Sequence, residues 1–274
     1  MNEHVTVTDV LQARQPLVMI TAYDQLSARI VDAAEADMIL VGDSLGMVIQ
    51  GHTNTLQVTL DEVIYHAKAV TRTKPKAMVI GDLPYLSYHV SRAETVRNAG
   101  RLVQEAGVDA VKLEGGRNRL TMVSSLIDAE IPVMGHLGLT PQSVNAFGGF
   151  KVQGKTKEAG KVIMEDALRL QDAGIFALVL ECVPSELAQE ITQSLDIPTI
   201  GIGAGPYCAG QVLVFHDLLG MSFGHQPKFV KAYADLGSQA VQALQQFRHE
   251  VQTGVFPTLA HSYAAKKPRI KAVE

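Results

Sequence analysis

The sequence predicts an α/β protein built as a (β/α)8 TIM barrel, and three observations carry that expectation. Short apolar, β-branched runs recur eight times, each followed by a longer segment with helical periodicity, the pattern of parallel strands joined by crossover helices. The runs are almost continuously apolar, as strands covered on both faces must be. The length of 274 residues also matches one closed barrel.

The predicted strands are, in order, PLVMITA (16–22), DMILVGD (37–43), AMVIGDL (77–83), DAVKLEG (109–115), IPVMGH (131–136), FALVLEC (176–182), IPTIGIG (197–203) and QVLVFHD (211–217). Helical stretches lie between them: SARIVDAAEA, LDEVIYHAKAVTRT, SRAETVRNAGRLVQEAG, RNRLTMVSSLIDAE, TKEAGKVIMEDALRLQDAG and SELAQEITQSL. Ser27, Thr59, Ser91, Thr156 and Ser185 stand where N-caps belong, and Gly107 and Gly174 where helices stop. No internal repeat, low-complexity tract or linker divides the chain, so residues 1–274 are expected to form one domain. The basic end KKPRIKAVE belongs to a tail expected to be solvated from about residue 262.

Composition narrows the function. Hydrophobic residues make up 47% and charged residues 19%, with 23 glycines and no tryptophan, which describes a compact protein with many tight turns. A net charge of −4 offers no basic field for a phosphate backbone, so nucleic acid is a poor partner and a small-molecule substrate fits better. The start, MNEHVTVTDVLQARQP, lacks the basic and apolar regions of a signal peptide. No apolar run reaches the roughly 20 residues that span a bilayer. The expected location is therefore cytoplasmic, with no membrane contact. Cys182 and Cys208 are too few for a disulfide framework and are expected to be buried thiols.

Barrels of this kind build their active sites at the carboxyl ends of the strands. Ionisable residues end five successive apolar runs here: Gly42-Asp43-Ser44, Gly81-Asp82-Leu83, Lys112-Leu113-Glu114-Gly115, Gly135-His136 and Leu180-Glu181-Cys182. Charges seldom lie buried without partners, so their recurrence asks for a shared explanation. Strands about 4.8 Å apart would let Asp43, Asp82 and Glu114 reach a common cation. Oxygen-only ligation favours Mg²⁺ over zinc. The competing account has each acid capping a following helix or pairing with a nearby base.

Lys112 and Glu114 leave the same face of their strand, toward the barrel mouth. Lys112 there either binds a substrate carboxylate or pairs with Glu114 or Asp82. Glu181 lies across the ring from the other acids and suits a general base, with Phe176, Leu178, Leu180 and Val183 as apolar neighbours in sequence. His136 either donates to substrate, or orders groups around it, or serves as a structural histidine in a polar layer. Gly201-Ile202-Gly203-Ala204-Gly205-Pro206 has no following base or helix, so it reads as a close-approach turn rather than a phosphate loop. Gly148-Gly149, with Lys151 to Lys157, reads as a loop that could cover the site.

VGDSLGMVIQGHTNTLQVT, GDLPY, VKLEGG, PVMGHLGLTPQSV, LVLECVP, IPTIGIGAG and VLVFHDLLG occur in that order between about residues 17 and 260. Together they resemble the ketopantoate hydroxymethyltransferase family. The resemblance implies a barrel of the phosphoenolpyruvate/pyruvate-binding type. It implies transfer of a hydroxymethyl group from 5,10-methylenetetrahydrofolate to 3-methyl-2-oxobutanoate, giving 2-dehydropantoate in pantothenate biosynthesis. It further implies a Mg²⁺ ion in each subunit and a homodecamer arranged as a pentamer of dimers.

By position, Asp43 and Asp82 look like metal-binding acids that also meet substrate, with Glu114 a third acid at the metal, directly or through water. Ser44 and Lys112 look like substrate-carboxylate contacts and Glu181 the catalytic base. A metal-dependent carbon–carbon lyase acting on a 2-oxo acid is the alternative enzyme. A catalytically silent binding or assembly barrel would be expected to lack some of Asp43, Asp82, Lys112, Glu114 and Glu181, and all are present.

Overall fold

Strand segments alternate with capped, amphipathic helices until the sheet closes on itself in the computed structural model, which describes residues 4–222, 224 and 226–264. The strands are β1 (Leu17–Thr21), β2 (Met38–Val41), β3 (Met78–Asp82), β4 (Ala110–Glu114), β5 (Val133–Gly138), β6 (Ala177–Glu181), β7 (Thr199–Ile202) and β8 (Gly210–Leu213). All are parallel and pair in chain order, and β8 returns to β1. All eight expected strands are present; most are one or two residues shorter at their ends than expected, and two end elsewhere. The last stops at Leu213, because Phe215 enters a short helix (Phe215–Leu218), buries its ring, and donates its N–H to Thr21 Oγ1 at 3.0 Å. A short apolar run does not distinguish a strand from a buried helical turn. The fifth runs on to Gly138, which leaves His136 inside the strand rather than at its end.

Helix starts follow local hydrogen bonding. Thr59, Ser91 and Thr156 each accept from the backbone N–H three residues on, as expected of N-caps. Two other caps lie elsewhere than expected. Asp24 is the cap of the helix Gln25–Ala33, and Ser27 is its third residue, completing a reciprocal capping box. Pro184 precedes the helix Ser185–Ser194, so Ser185 is its first residue. Gly107 (φ 68°) and Gly174 (φ 97°) stop their helices in the left-handed region.

Alternation along the strands produces two cores. Outward residues such as Ile39, Val41, Val79, Val111, Leu113, Val133, Leu178 and Leu180 pack against the helices. Inward residues Leu17, Met19, Met38, Leu40, Met78, Ile80, Ala110, Met134, Ala177, Val179, Ile200 and Val212 fill the barrel itself. The N-terminal segment closes the lower end. Val5 N donates to Lys76 O at 2.8 Å, and Val10, on the helix Val7–Leu11, is buried in the interior cluster.

The upper end is different. Following inward positions upward, Met78 and Ile80 lead to Asp82, Ala110 leads to Lys112 and Glu114, Met134 to His136, and Ala177 and Val179 to Glu181. An apolar plug therefore carries a layer of charge on top.

The last helix, Leu236–Thr253, stands apart from this packing. Gly237 is its one buried residue, while Leu244 and Phe247 are 68% and 52% exposed. Among the described residues, no helix is long and apolar enough to cross a membrane. Cys182 is buried and Cys208 half-buried, and both are free thiols. Of the expected tail, the KKPRIKAVE segment lies outside the described residues.

Candidate active site

Strand register gathers the charges. Asp82 lies beside Lys112, Glu114 beside His136, and Gly138 beside Glu181 across successive strand pairs. Asp43 joins them from the turn after β2, where its backbone N–H donates to Asp82 Oδ2 at 3.3 Å. Asp43, Asp82, Lys112, Glu114 and His136 are each 4% exposed or less, whereas Ser44 and Glu181 are half-buried.

Of the two readings for Lys112, the ion pair is present: Nζ lies 2.9 Å from Asp82 Oδ1. Asp82 Oδ1 thus has the Lys112 ammonium as its charged partner. His136 bridges the two sides of the mouth. Its Nδ1 lies 3.3 Å from Lys112 Nζ and 3.5 Å from Glu114 Oε1, and its Nε2 lies 3.1 Å from Glu181 Oε2. The group facing Glu181 is thus an imidazole, where sequence neighbours suggested an apolar wall. Ser44 Oγ meets the buried Tyr23 hydroxyl at 2.8 Å.

Backbone geometry aims Glu181. Its carbonyl accepts from Leu139 N at 2.8 Å, and the next residue, Cys182, donates to Ile202 O at 2.9 Å with φ of 47°. Gly138 makes the close approach feasible: at φ 94°, a Cβ there would sit 2.2 Å from Glu181 O. The Gly201–Pro206 turn also reads as close approach, since a Cβ on Gly205 would lie 2.5 Å from the Ser185 side chain.

Burial and crowding set the electrostatics. Burial raises the Asp43 carboxyl well above its usual range, and repulsion from Asp82 and Glu114 adds to this, against smaller opposition from Lys112 and Gln142. Asp82 is raised by burial and by Glu114, with Lys112 pulling the other way. Burial and the Lys112 charge push His136 down, but Glu114 and Glu181 outweigh them and bring it to about 9. Burial also opposes charge on Lys112, yet Asp82, Glu114 and Asp43 hold its ammonium more firmly than usual. Ionised together, these carboxylates outnumber Lys112 and a protonated His136, so a bound cation would favour their charged forms.

Two residues at the centre of this network were not singled out from the sequence. Gln142, 4% exposed, follows β5 in a single turn of 3-10 helix (Pro141–Ser143). Its Nε2 donates to Asp43 Oδ2 at 2.9 Å and to Leu83 O at 3.0 Å, and its backbone N donates to Glu114 Oε2 at 3.0 Å. Tyr88, 1% exposed, donates its hydroxyl to Gln142 Oε1 at 2.7 Å and accepts from Glu114 N at 3.2 Å. The signal available was Gln142's place in the PVMGHLGLTPQSV stretch. Nothing local marks Tyr88.

These contacts bear on how a metal would fit. Among the described residues, no three His, Cys, Asp or Glu side chains close on one point. Glu114 is engaged by Gln142 and His136, while Asp43 and Asp82 adjoin. A ready-made three-acid cage is therefore not formed. Mg²⁺ keeps several waters and takes one or two protein carboxylates plus substrate oxygens. The adjoining Asp43–Asp82 pair, buried at the mouth, fits that requirement.

Comparison with known proteins gives the family and the fold. The family model described as ketopantoate hydroxymethyltransferase matches residues 4–259. A 3-methyl-2-oxobutanoate hydroxymethyltransferase from Syntrophomonas wolfei is 55% identical over 94% of this chain and 94% of its own. One from Moorella thermoacetica is 56% identical over 90% of this chain and 92% of its own. Among solved structures, a phosphoenolpyruvate phosphomutase from Streptomyces platensis superposes with a TM-score of 0.60 at 17% identity, covering 94% of this chain and 91% of that one. A phosphonopyruvate hydrolase in complex with oxalate and Mg²⁺ gives 0.61 at 11% identity, covering 92% and 90%. Likeness at that identity shows the shared fold, a barrel like those of the phosphoenolpyruvate mutase and isocitrate lyase superfamily. With a family model spanning nearly the whole chain and relatives above half identity over nearly their full lengths, the chain belongs to the ketopantoate hydroxymethyltransferase family.

Proposed function

We propose that the barrel mouth transfers a hydroxymethyl group from 5,10-methylenetetrahydrofolate to 3-methyl-2-oxobutanoate, giving 2-dehydropantoate for pantothenate and coenzyme A synthesis. The observation that carries this reading is a carboxylate, Glu181, held across the mouth from an acidic patch and joined to it by His136. That arrangement suits proton removal from carbon beside a carbonyl.

Asp43 and Asp82 would hold a Mg²⁺ ion, with Glu114 acting on it through water. Such an ion would polarise the oxo and carboxylate oxygens of the substrate and acidify its C3–H. Lys112 and Ser44 would anchor the substrate carboxylate. Lys112 would then share its charge between Asp82 and substrate. Glu181 takes the C3 proton, the C3 electron pair forms a bond to the folate-borne methylene, and water supplies the hydroxyl oxygen as tetrahydrofolate leaves. His136, in contact with Glu181 Oε2, orients the carboxylate and stabilises its charge before the transfer. The folate carries the one-carbon chemistry.

The test is solvent-deuterium exchange at C3 of 3-methyl-2-oxobutanoate, followed by NMR with and without Mg²⁺. Metal-dependent exchange, with 2-dehydropantoate formed only when the folate is added, is the expected result. Folate-independent cleavage of a 2-oxo acid would replace this reading with the lyase.

The exposed apolar face of Leu236–Thr253 supports assembly with further copies of the chain, for which we propose the homodecamer. Light scattering that gave a monomer would overturn that. The two free thiols and a small-molecule site support work in the cytoplasm. Secretion of the intact protein would contradict it.

A further inference from the structure

We infer that Gln142, set in place by Tyr88, is a positioning residue that fixes Asp43 relative to Glu114 and thereby the grip of the mouth on a divalent cation. The inference rests on the reading of Asp43 as a cation-holding acid. Among the described residues, Gln142 is the one that hydrogen-bonds to both acids, Asp43 through its side chain and Glu114 through its backbone N–H. These two carboxylates repel each other in a buried setting, so their separation needs a restraint placed between them.

The amide has a single workable orientation. Both partners of Nε2, the Asp43 carboxylate and Leu83 O, are acceptors. Oε1 must then receive a proton, and Tyr88 supplies it, because the tyrosine oxygen already accepts from Glu114 N. Every polar atom of the side chain is used, which a buried amide requires. Each bond also returns to the same group: Tyr88 ties the amide to the backbone of Glu114, and Leu83 O ties it to the residue after Asp82.

The choice of a neutral donor matters as much as its position. Lys112 restrains Asp82 with a charge, which offsets part of the negative field. Gln142 restrains Asp43 without adding positive charge and occupies only Oδ2. The field that attracts a cation is preserved while the carboxylate is held still. Outer hydrogen-bond partners of this kind orient metal ligands, and their loss typically costs about 10–100-fold in metal affinity.

The experiment is a titration of the purified protein with Mn²⁺ alone, read by electron paramagnetic resonance, on Gln142→Met, Tyr88→Phe, the double variant and Asp43→Asn. Gln142→Met keeps the side-chain length and removes the amide, and is expected to weaken Mn²⁺ binding about tenfold. Tyr88→Phe keeps the ring and removes only the hydroxyl, so it should shift affinity the same way by less. If Tyr88 acts through Gln142, the double variant binds no more weakly than Gln142→Met. Steady-state kinetics should show KM for the oxo acid rising by more than kcat falls. Unchanged Mn²⁺ affinity in both single variants, with affinity lost in Asp43→Asn, overturns the positioning role and leaves the cation site standing. Unchanged affinity in Asp43→Asn as well overturns the cation reading and this inference with it. Should Gln142→Met fail to melt cooperatively, Tyr88→Phe decides alone.

Discussion

Strand β2 is flanked by two aspartates, and they live in opposite circumstances. Asp37, below it, is half-exposed and accepts from Val18 N at 2.7 Å. Asp109, below β4, accepts from Val79 N at 2.7 Å and lies 3.0 Å from His4 Nε2. At the upper end, Asp43 and Asp82 are almost wholly buried, face each other and Glu114, and keep their protons more tightly than a free carboxylate. The lower acids tie strand starts together through backbone N–H groups. The upper ones hold a field under strain. Closing the lower end with Val10 and an apolar interior provides the rigid base on which that field can be kept. Barrels divide labour in this way, with stability below and chemistry above.

The largest expected effect comes from Glu181→Gln. Removing the base while keeping its shape should lower C3 deuterium exchange by about 10²–10⁴-fold, with oxo-acid binding retained in calorimetry. Exchange at the wild-type rate would take Glu181 out of the base role.

Next comes a paired comparison of the two ends. Asp43→Asn should abolish most activity and weaken cation binding, yet leave the metal-free protein as stable or up to about 1 kcal/mol more stable, because it removes a buried charge that repels its neighbours. Asp109→Ala should do the reverse, costing about 1–2 kcal/mol through the lost bond to Val79 N while turnover persists. Denaturant unfolding and steady-state assays on both variants check this. Equal stability losses at the two ends would erase the distinction.

The smallest effect is a pH dependence. His136 is raised from 6.5 to about 9, so the stability it contributes is present below pH 6.5 and lost as pH climbs through 9. Asp43 and Asp82, also raised, contribute in the same sense: what they add at low pH disappears as they ionise. The metal-free protein should therefore melt at a lower temperature as pH rises from 6.5 toward 9. Added Mg²⁺ should restore more at the upper end of that range. A melting temperature that rises with pH would contradict the sign.

Much of this was legible in the sequence because it depends on short-range periodicity. Apolar runs of four to six residues, ending in Asp, Glu, His or Lys and separated by helical segments, determined a barrel with charge at one end. Two-residue alternation was enough to put Lys112 and Glu114 on one face and Leu113 on the other. Tertiary structure decided the partners. Lys112 pairing with Asp82, His136 spanning Glu114 and Glu181, and residues 5–10 closing the lower end all depend on strand register and chain path. So did the early end of β8, where an apolar Phe215 packs equally well as strand or helix until Thr21 captures its N–H. Gln142 shows the limit most clearly. It lies 99 residues from Asp43 in the chain, and a hydrogen bond across that separation leaves no periodic trace, because the barrel's closure alone brings the two together.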